Sequence, residues 1–328
     1  MLEPKKILIS RADAIGDVCL TLPACMALRA KYPNAELVYL CRAYTKEVVA
    51  CFEPIDAVLT LEELDQASHL TRQDLLGKFD VVIHLFPNKL IAKWCKEAGI
   101  KVRIGTAHRF FHFFTCNVRP RFTRRRSDLH EAQLNFKLLA PLGIQSIPSL
   151  DQMNRHLAFL PHKIHGFSEI KMDGQIILLH PKSNGSGVEY PIKKYIELAE
   201  LLAQKGYTIY FTGIEKEGAL FRDQIPKVAQ IHDATGQWDL PTFIGVIARS
   251  KALVACSTGP YHLAGLAGVK AVGLFSQKKP IHPGRWAALG LNASALTSYG
   301  ICTTCTAGKD CKCIETISIQ DIIHAIEK

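Results

Sequence analysis

Nowhere in the 328 residues does an apolar run approach the roughly 18 to 20 residues that a bilayer-crossing helix needs. The N-terminus, MLEPKKILIS, has neither the long apolar core nor the small-residue cleavage site of a secretory signal, so the expected location is the cytoplasm. Acids are in deficit, with 30 Asp and Glu against 40 Lys and Arg, a formal charge of +10. That excess favours anionic partners: nucleic acid, lipid headgroups, or phosphorylated and acidic sugars. The first turn after an apolar run lacks G-x-G-x-x-G, which argues against a nicotinamide-dependent oxidoreductase. No short repeat period suggests a solenoid.

What is present describes a globular α/β chain. Hydrophobic residues make up 48% and charged residues 21%, and the length suffices for two domains with separate cores. Apolar runs KILIS, ELVYLC, DAVLTL, DVVIHLF and KVRIGT read as strands, with helices expected over residues 21–30, 88–98 and 130–142, the last closed by Gly143. Residues 144–173 hold Pro148, Pro161 and Gly166 without sustained periodicity and read as a connector or domain boundary. Alternation then resumes with strands IILLH, YTIYFTG, LVACS and AVGLFS, and helices over residues 192–204, 239–250 and 260–267. Ser318 to Asp321 resembles a capping box opening a final helix. The expectation is two α/β domains with mostly parallel sheets, residues 1–160 and 161–328, facing a central cleft. The last helix is free to pack back on the first.

In such sheets ligands bind beyond the carboxyl ends of the strands, and four segments fall there. SRADAIGDVCLTLPA, residues 10–24, places Asp13 and Asp17 around Gly16 at a strand–helix junction. HPKSNGSGVEYP, residues 180–191, offers small residues whose backbone N–H groups can approach an anion, with Ser183, Ser186 and the charge of Lys182. A flexible surface loop is the plainer reading of that segment. CSTGPYHLAGLAG follows an apolar strand, so Thr258 and Gly259 stand where a helix N-terminus presents free donors to phosphate. His262 lies one turn in, either facing the same ligand or satisfied within the helix. Glu215 in TGIEKEG could accept from ribose hydroxyls or be a solvated loop acid.

Taken in order, ILISRADAIGDVCLTLPA, HPKS…YP, TGIE, and CSTGPYHLAGLAGVKAVGLF followed by RWAALG resemble glycosyltransferase family 9, the ADP-heptose:lipopolysaccharide heptosyltransferases. The resemblance covers nearly the whole chain. It implies a GT-B fold of two Rossmann-like domains, with acceptor bound by the first and nucleotide-sugar by the second. It also implies inverting transfer of heptose from ADP-heptose to the Kdo/heptose inner core of lipopolysaccharide, at the inner face of the inner membrane. Asp17 falls on the family's catalytic base, which takes the acceptor hydroxyl proton. Lys182, Ser183, Ser186, Ser257, Thr258, Gly259 and His262 then face the donor, with Glu215 on its ribose. Asp13 binds acceptor or orients the loop, with helix capping as the alternative. Two residues depart from the family pattern. Glu189 stands where a cation often precedes the aromatic–Pro pair, leaving Lys182, Lys193 or Lys194 as substitutes. Ser257 stands where Asp is common, removing a contact to the donor sugar. Transfer of another nucleotide-sugar, or a catalytically degenerate glycolipid-binding protein, are the competing readings.

Residues 119–126, RPRFTRRR, are the densest basic run. As an acceptor surface, Arg119, Arg121 and Arg124 with His130 would meet carboxylates and phosphates of the lipid A core. A solvated basic loop is the plain alternative and RNA binding a third. Peripheral contact with an anionic membrane is expected, nucleic acid is not. Cys302, Cys305, Cys311 and Cys313 form two close pairs that suit a structural zinc or iron ion, against reduced free thiols or disulfides. No cofactor is expected for catalysis.

Overall fold

The structure is a computed structural model that describes residues 3–124, 127–169, 175–307, 309 and 311–328. The chain divides into two compact units, Met1–Leu160 and Pro161–Lys328.

The first unit is built on five parallel strands: β1 (Lys6–Ser10), β2 (Glu36–Cys41), β3 (Ala57–Thr60), β4 (Val81–His84) and β5 (Val102–Ile104). Their order is β3-β2-β1-β4-β5, so the winding reverses between β1 and β4. That reversal opens a crevice at the carboxyl ends of these two strands. β1 and β4 are buried on both faces, which is why they read as unbroken apolar runs rather than alternating ones.

The second unit carries six parallel strands: β6 (Ile176–His180), β7 (Thr208–Phe211), β8 (Ile231–Asp233), β9 (Ala252–Cys256), β10 (Lys270–Leu274) and β11 (Ala293–Leu296). The order β11-β10-β9-β6-β7-β8 reverses between β6 and β9. The helix Ile192–Gln204 buries Tyr195, Leu198, Ala199 and Leu202, spaced to form one apolar stripe. The final helix, Ile319–Glu327, uses Ile319, Ile322, Ile323 and Ile326 in the same way and lays them into this unit's own core. Its Ser318 cap accepts the Asp321 N–H, as Asn88 and Asp239 cap the helices that follow them.

Three expectations need correction. Residues 130–142 are not one helix: Glu131–Phe136 is α-helical and a separate 3-10 turn covers Ala140–Leu142. Pro141 has no N–H for the helical ladder and its ring would clash with the preceding turn. Gly143 does close the segment, at φ 82°. The connector is not wholly irregular, since Ser149 and Gln152 cap a helix over Leu150–Arg155; Asp173, at its far end, lies outside the described residues. Two short strands, β8 and β11, form where the apolar pattern predicts none.

Candidate active site

In the first unit, β1 runs directly into the junction that holds both carboxylates. Asp17 lies in the first turn of the helix Ile15–Cys19, where the positive end of the helix favours an anion. Asp13 does not cap that helix: Ala14 occupies the cap position and no side chain closes it. Both acids turn instead to Arg11, which no local motif marks. Arg11 is 1% exposed. Its Nε donates to Asp13 Oδ1 at 3.0 Å, its Nη2 to Asp17, and its Nη1 to Glu131 Oε1 at 3.2 Å and Asn135 Oδ1 at 3.3 Å. The helix Glu131–Phe136 thus supplies a third carboxylate and an amide, and Asn135 Nδ2 in turn donates to Leu20 O at 3.0 Å.

Arg124 joins this group. Its Nε donates to Glu131 Oε1 at 2.8 Å and its Nη2 to Leu85 O, just past β4, at 2.7 Å. The cluster therefore bridges both strands of the switch point. Among the described residues, three carboxylates share two guanidiniums. Burial pushes the Asp13 carboxyl up to about 6, and burial also raises Asp17, in each case against the pull of Arg11. A carboxylate so placed is a stronger base than a solvated one.

Other acceptor-side expectations divide. Arg124 is committed to Glu131, so it is a strut of the site rather than a free surface arginine. His130 is 1% exposed and caps the helix Glu131–Phe136, its Nδ1 accepting from the Ala132 N–H at 3.3 Å, so it does not join an exposed acceptor surface. Arg119 and Arg121 are exposed. Arg125 and Arg126 lie outside the described residues.

In the second unit, the loop after β6 folds onto the turn after β9. Asn184 (φ 47°) and Gly185 (φ 80°) make the sharp bend. Ser186 Oγ lies 2.8 Å from both Ser183 O and Ser257 O, and a Cβ on Gly187 would sit 3.2 Å from the Ser257 Cβ. Ser183, Ser186, Ser257, Thr258 and Gly259 are thereby brought together. Thr258 is the extended cap of the helix Gly259–Leu266 and makes no side-chain cap bond, and Pro260, second in that helix, has no N–H to offer an anion. His262 is buried one turn in, its ring 5.4 Å from that of Tyr261.

The lysine expected to neutralise phosphate is already paired. Lys182 Nζ lies 2.6 Å from Glu189 Oε2, and Glu189 Oε1 accepts from the Ser183 N–H at 3.0 Å. Burial opposes the Glu189 charge, but these bonds outweigh it and hold the carboxyl below its usual range. Lys194 is occupied too, donating to Glu315 O at 2.7 Å. Glu215 opens a short helix after β7 and is gripped by both terminal nitrogens of Arg222, at 2.7 and 2.8 Å. Arg222 also reaches Asp233 at the end of β8, at 2.6 Å, and Thr235 at 2.9 Å. Arg222, Asp233 and Thr235 were not anticipated, because β8 is too short to announce itself.

Between β11 and the last helix, the Sγ atoms of Cys302, Cys305, Cys311 and Cys313 all lie within 4.8 Å of one another. The shorter separations are 3.6 Å (302–311), 2.9 Å (305–311) and 3.4 Å (305–313). Tetrahedral thiolate coordination at a metal–sulfur distance of about 2.3 Å places sulfurs about 3.8 Å apart, so four thiols gathered this closely fit such an ion. Gln277 braces the loop, accepting from Cys302 N–H at 2.9 Å and donating to Ser298 O at 3.0 Å.

The model of glycosyltransferase family 9 (heptosyltransferase) matches residues 69–313. A Haemophilus influenzae protein, provisionally named a glycosyltransferase, is 25% identical over 296 residues, 86% of this chain and 85% of its own. The crystal structure of the glycosyl transferase family 9 protein of Veillonella parvula is similar with a TM-score of 0.75 at 20% identity, covering 98% of this chain and 96% of that one. The E. coli heptosyltransferase WaaC, solved with ADP, gives 0.73 at 16% identity, covering 98% and 99%. The fold, two α/β units each on a parallel sheet, is that of these GT-B enzymes. With the family's pattern running from the middle of the first unit to the last cysteine of the cluster, this chain is a glycosyltransferase and belongs to glycosyltransferase family 9.

Proposed function

We propose that this enzyme transfers a heptose, with inversion, from ADP-heptose to the Kdo/heptose inner core of lipopolysaccharide, with Asp17 as general base. The observation that carries the reading is the Asp17 carboxylate, held by buried Arg11 at the helix start after β1 and raised in basicity by burial. The acceptor hydroxyl passes its proton to that carboxylate as its oxygen attacks the anomeric carbon. The bond from that carbon to the diphosphate breaks, and its electron pair leaves on ADP. The helix start at Gly259 and the small residues of the 183–187 loop suit the diphosphate, where charge develops. WaaC was solved with ADP, which supports a nucleotide-sugar donor. Exposed Arg119 and Arg121 suit the anionic acceptor, and an enzyme acting on a membrane glycolipid sits at an anionic surface; among the described residues no helix is long and apolar enough to cross a membrane. Measuring ADP release with ADP-heptose and Kdo-lipid A tests the assignment: turnover with that pair is expected, and turnover only with another nucleotide-sugar sinks the donor.

The Lys182–Glu189 pair bears on the donor side. Glu189→Gln keeps a hydrogen-bond acceptor for Ser183 but uncovers the lysine charge. ADP affinity, read by calorimetry, should rise several-fold, since a partly exposed ion pair to phosphate contributes up to about 1 kcal/mol. Unchanged or weaker binding would remove Lys182 from the diphosphate site.

We assign the four thiols to a structural zinc or iron ion that braces the donor loop. The cysteine segment continues into Ile314 and Ile317, which lie in the core, and Tyr190 Oη donates to Ile317 O at 2.8 Å from the end of the 183–191 loop. Purified protein should carry one metal per chain by elemental analysis. Cys305→Ser should lose it, lower the melting temperature and raise the KM for donor more than that for acceptor. A metal-free, fully active wild type would dispose of the assignment.

A further inference from the structure

The described surface of the first unit carries one feature that the transfer chemistry does not use. Phe110, Phe113 and Phe114 are 79%, 54% and 61% exposed, although large apolar side chains are seldom presented together to water. They sit on and beside the short helix His112–Thr115, in a loop that leaves the sheet at β5 and is pinned where it returns. Gly105 N–H donates to Val118 O at 3.0 Å and Ala107 N–H to Pro120 O at 3.1 Å. Below the phenylalanines the loop is anchored. His112 is fully buried, its Nδ1 is 2.9 Å from Thr106 O, and its ring stacks 5.8 Å from that of His84. A Cβ on Gly105 would come within 2.7 Å of the His112 ring, so the loop is seated tightly. The aromatic tip is thus a fixed platform rather than a frayed end.

Charge along this segment has one sign. From Ala98 to Ser127 the chain holds eight Lys and Arg and no Asp or Glu. Lys101, Arg109, Arg119 and Arg121 are exposed, and the Arg119 guanidinium lies over the Phe113 ring at 5.1 Å. Aromatic rings beside basic side chains match the boundary of a bilayer, where rings enter the headgroup layer and cations meet lipid phosphate. Two copies of such a face would bring like charges together, which disfavours self-association.

We propose that Phe110, Phe113 and Phe114, flanked by Arg109, Arg119 and Arg121, form a wedge that seats the first unit on an anionic lipid bilayer. The inference deepens the membrane contact in the function proposed above by giving it a surface. Its test needs neither donor nor glycolipid. The full-length chain is sedimented with vesicles of phosphatidylcholine alone and of phosphatidylcholine with phosphatidylglycerol. Binding to the mixed vesicles should fall with rising salt. Phe110→Ser/Phe113→Ser/Phe114→Ser should weaken it by about tenfold or more, from lost apolar burial. Phe114→Trp, which keeps an aromatic ring, should bind and show a blue-shifted emission quenched by brominated lipid. Equal binding by wild type and the triple variant, no binding by wild type, or a change only in oligomeric state by light scattering would each overturn the wedge. Because these vesicles lack acceptor, such a failure leaves glycosyl transfer untouched; failure of ADP release with binding intact would instead sink the proposed substrates.

Discussion

Asp17→Asn should lower transfer by about 10²- to 10⁴-fold, the usual contribution of a positioned general base. The substitution keeps the side-chain shape and an oxygen for Arg11, but an amide cannot take the acceptor proton. The loss should fall on kcat, with ADP affinity unchanged, since the residues proposed to hold the donor belong to the second unit. Stability should change little, because burial already disfavours the charged form of Asp17. Activity depends on pH in a definite direction. The base works deprotonated, and burial raises Asp17 above the ordinary value of 3.8, so kcat/KM should climb with pH along an acid limb lying above the normal carboxylate range. Asp13→Asn removes one claimant on Arg11 and a like charge, and should move that limb to lower pH. A transfer rate in Asp17→Asn within a few-fold of wild type would refute the mechanism.

Arg11→Met should destabilise the first unit by about 3–5 kcal/mol, the cost of removing one partner from a buried ionic cluster. Methionine fills much of the space, so the loss would come from charge. Among the described residues, Glu131 would keep its bond to Arg124, but Asp13, Asp17 and Glu131 would lose the buried guanidinium that all three share. The pH dependence identifies the cause. Asp13, at about 6 when folded against 3.8, binds more protons folded than unfolded in that interval, so stability falls as pH rises through it. Without Arg11 the folded values rise further. The deficit of the variant should therefore be smallest in acid and grow towards neutral pH. Urea titrations of both proteins from about pH 4.5 to pH 7.5 read this directly. A deficit independent of pH would point to lost packing, and Arg11→Lys should recover part of the stability.

Much of the scaffold is legible along the chain because its causes are local. Ile7 to Ile9 and Val81 to Ile83 are apolar runs too short for helices, and both became central strands. The span from Ile192 to Gln204 has helical spacing, and Asn88, Asp239 and Ser318 close helix starts through bonds two to three residues away. Even the break at Pro141 follows from one residue. The short strands β8 and β11 were missed because three or four residues carry no period.

The site was legible in its landmarks and hidden in its partners. Asp17 and the Thr258–Gly259 helix start can be found from the strand–helix junctions that hold them. What surrounds them cannot. Arg11 meets Glu131 across 120 residues, and Arg124 meets Leu85 across 39. Whether an arginine in a basic run is a surface contact or a buried strut depends on which carboxylate the fold brings to it. So does the pairing of Lys182 with Glu189, which turns a presumed phosphate ligand into half of an ion pair. Periodicity and capping are interactions over a few residues, and one chain written out suffices to read them. Basicity, burial and charge pairing depend on distances between segments remote in sequence, and those exist only once the sheets have formed.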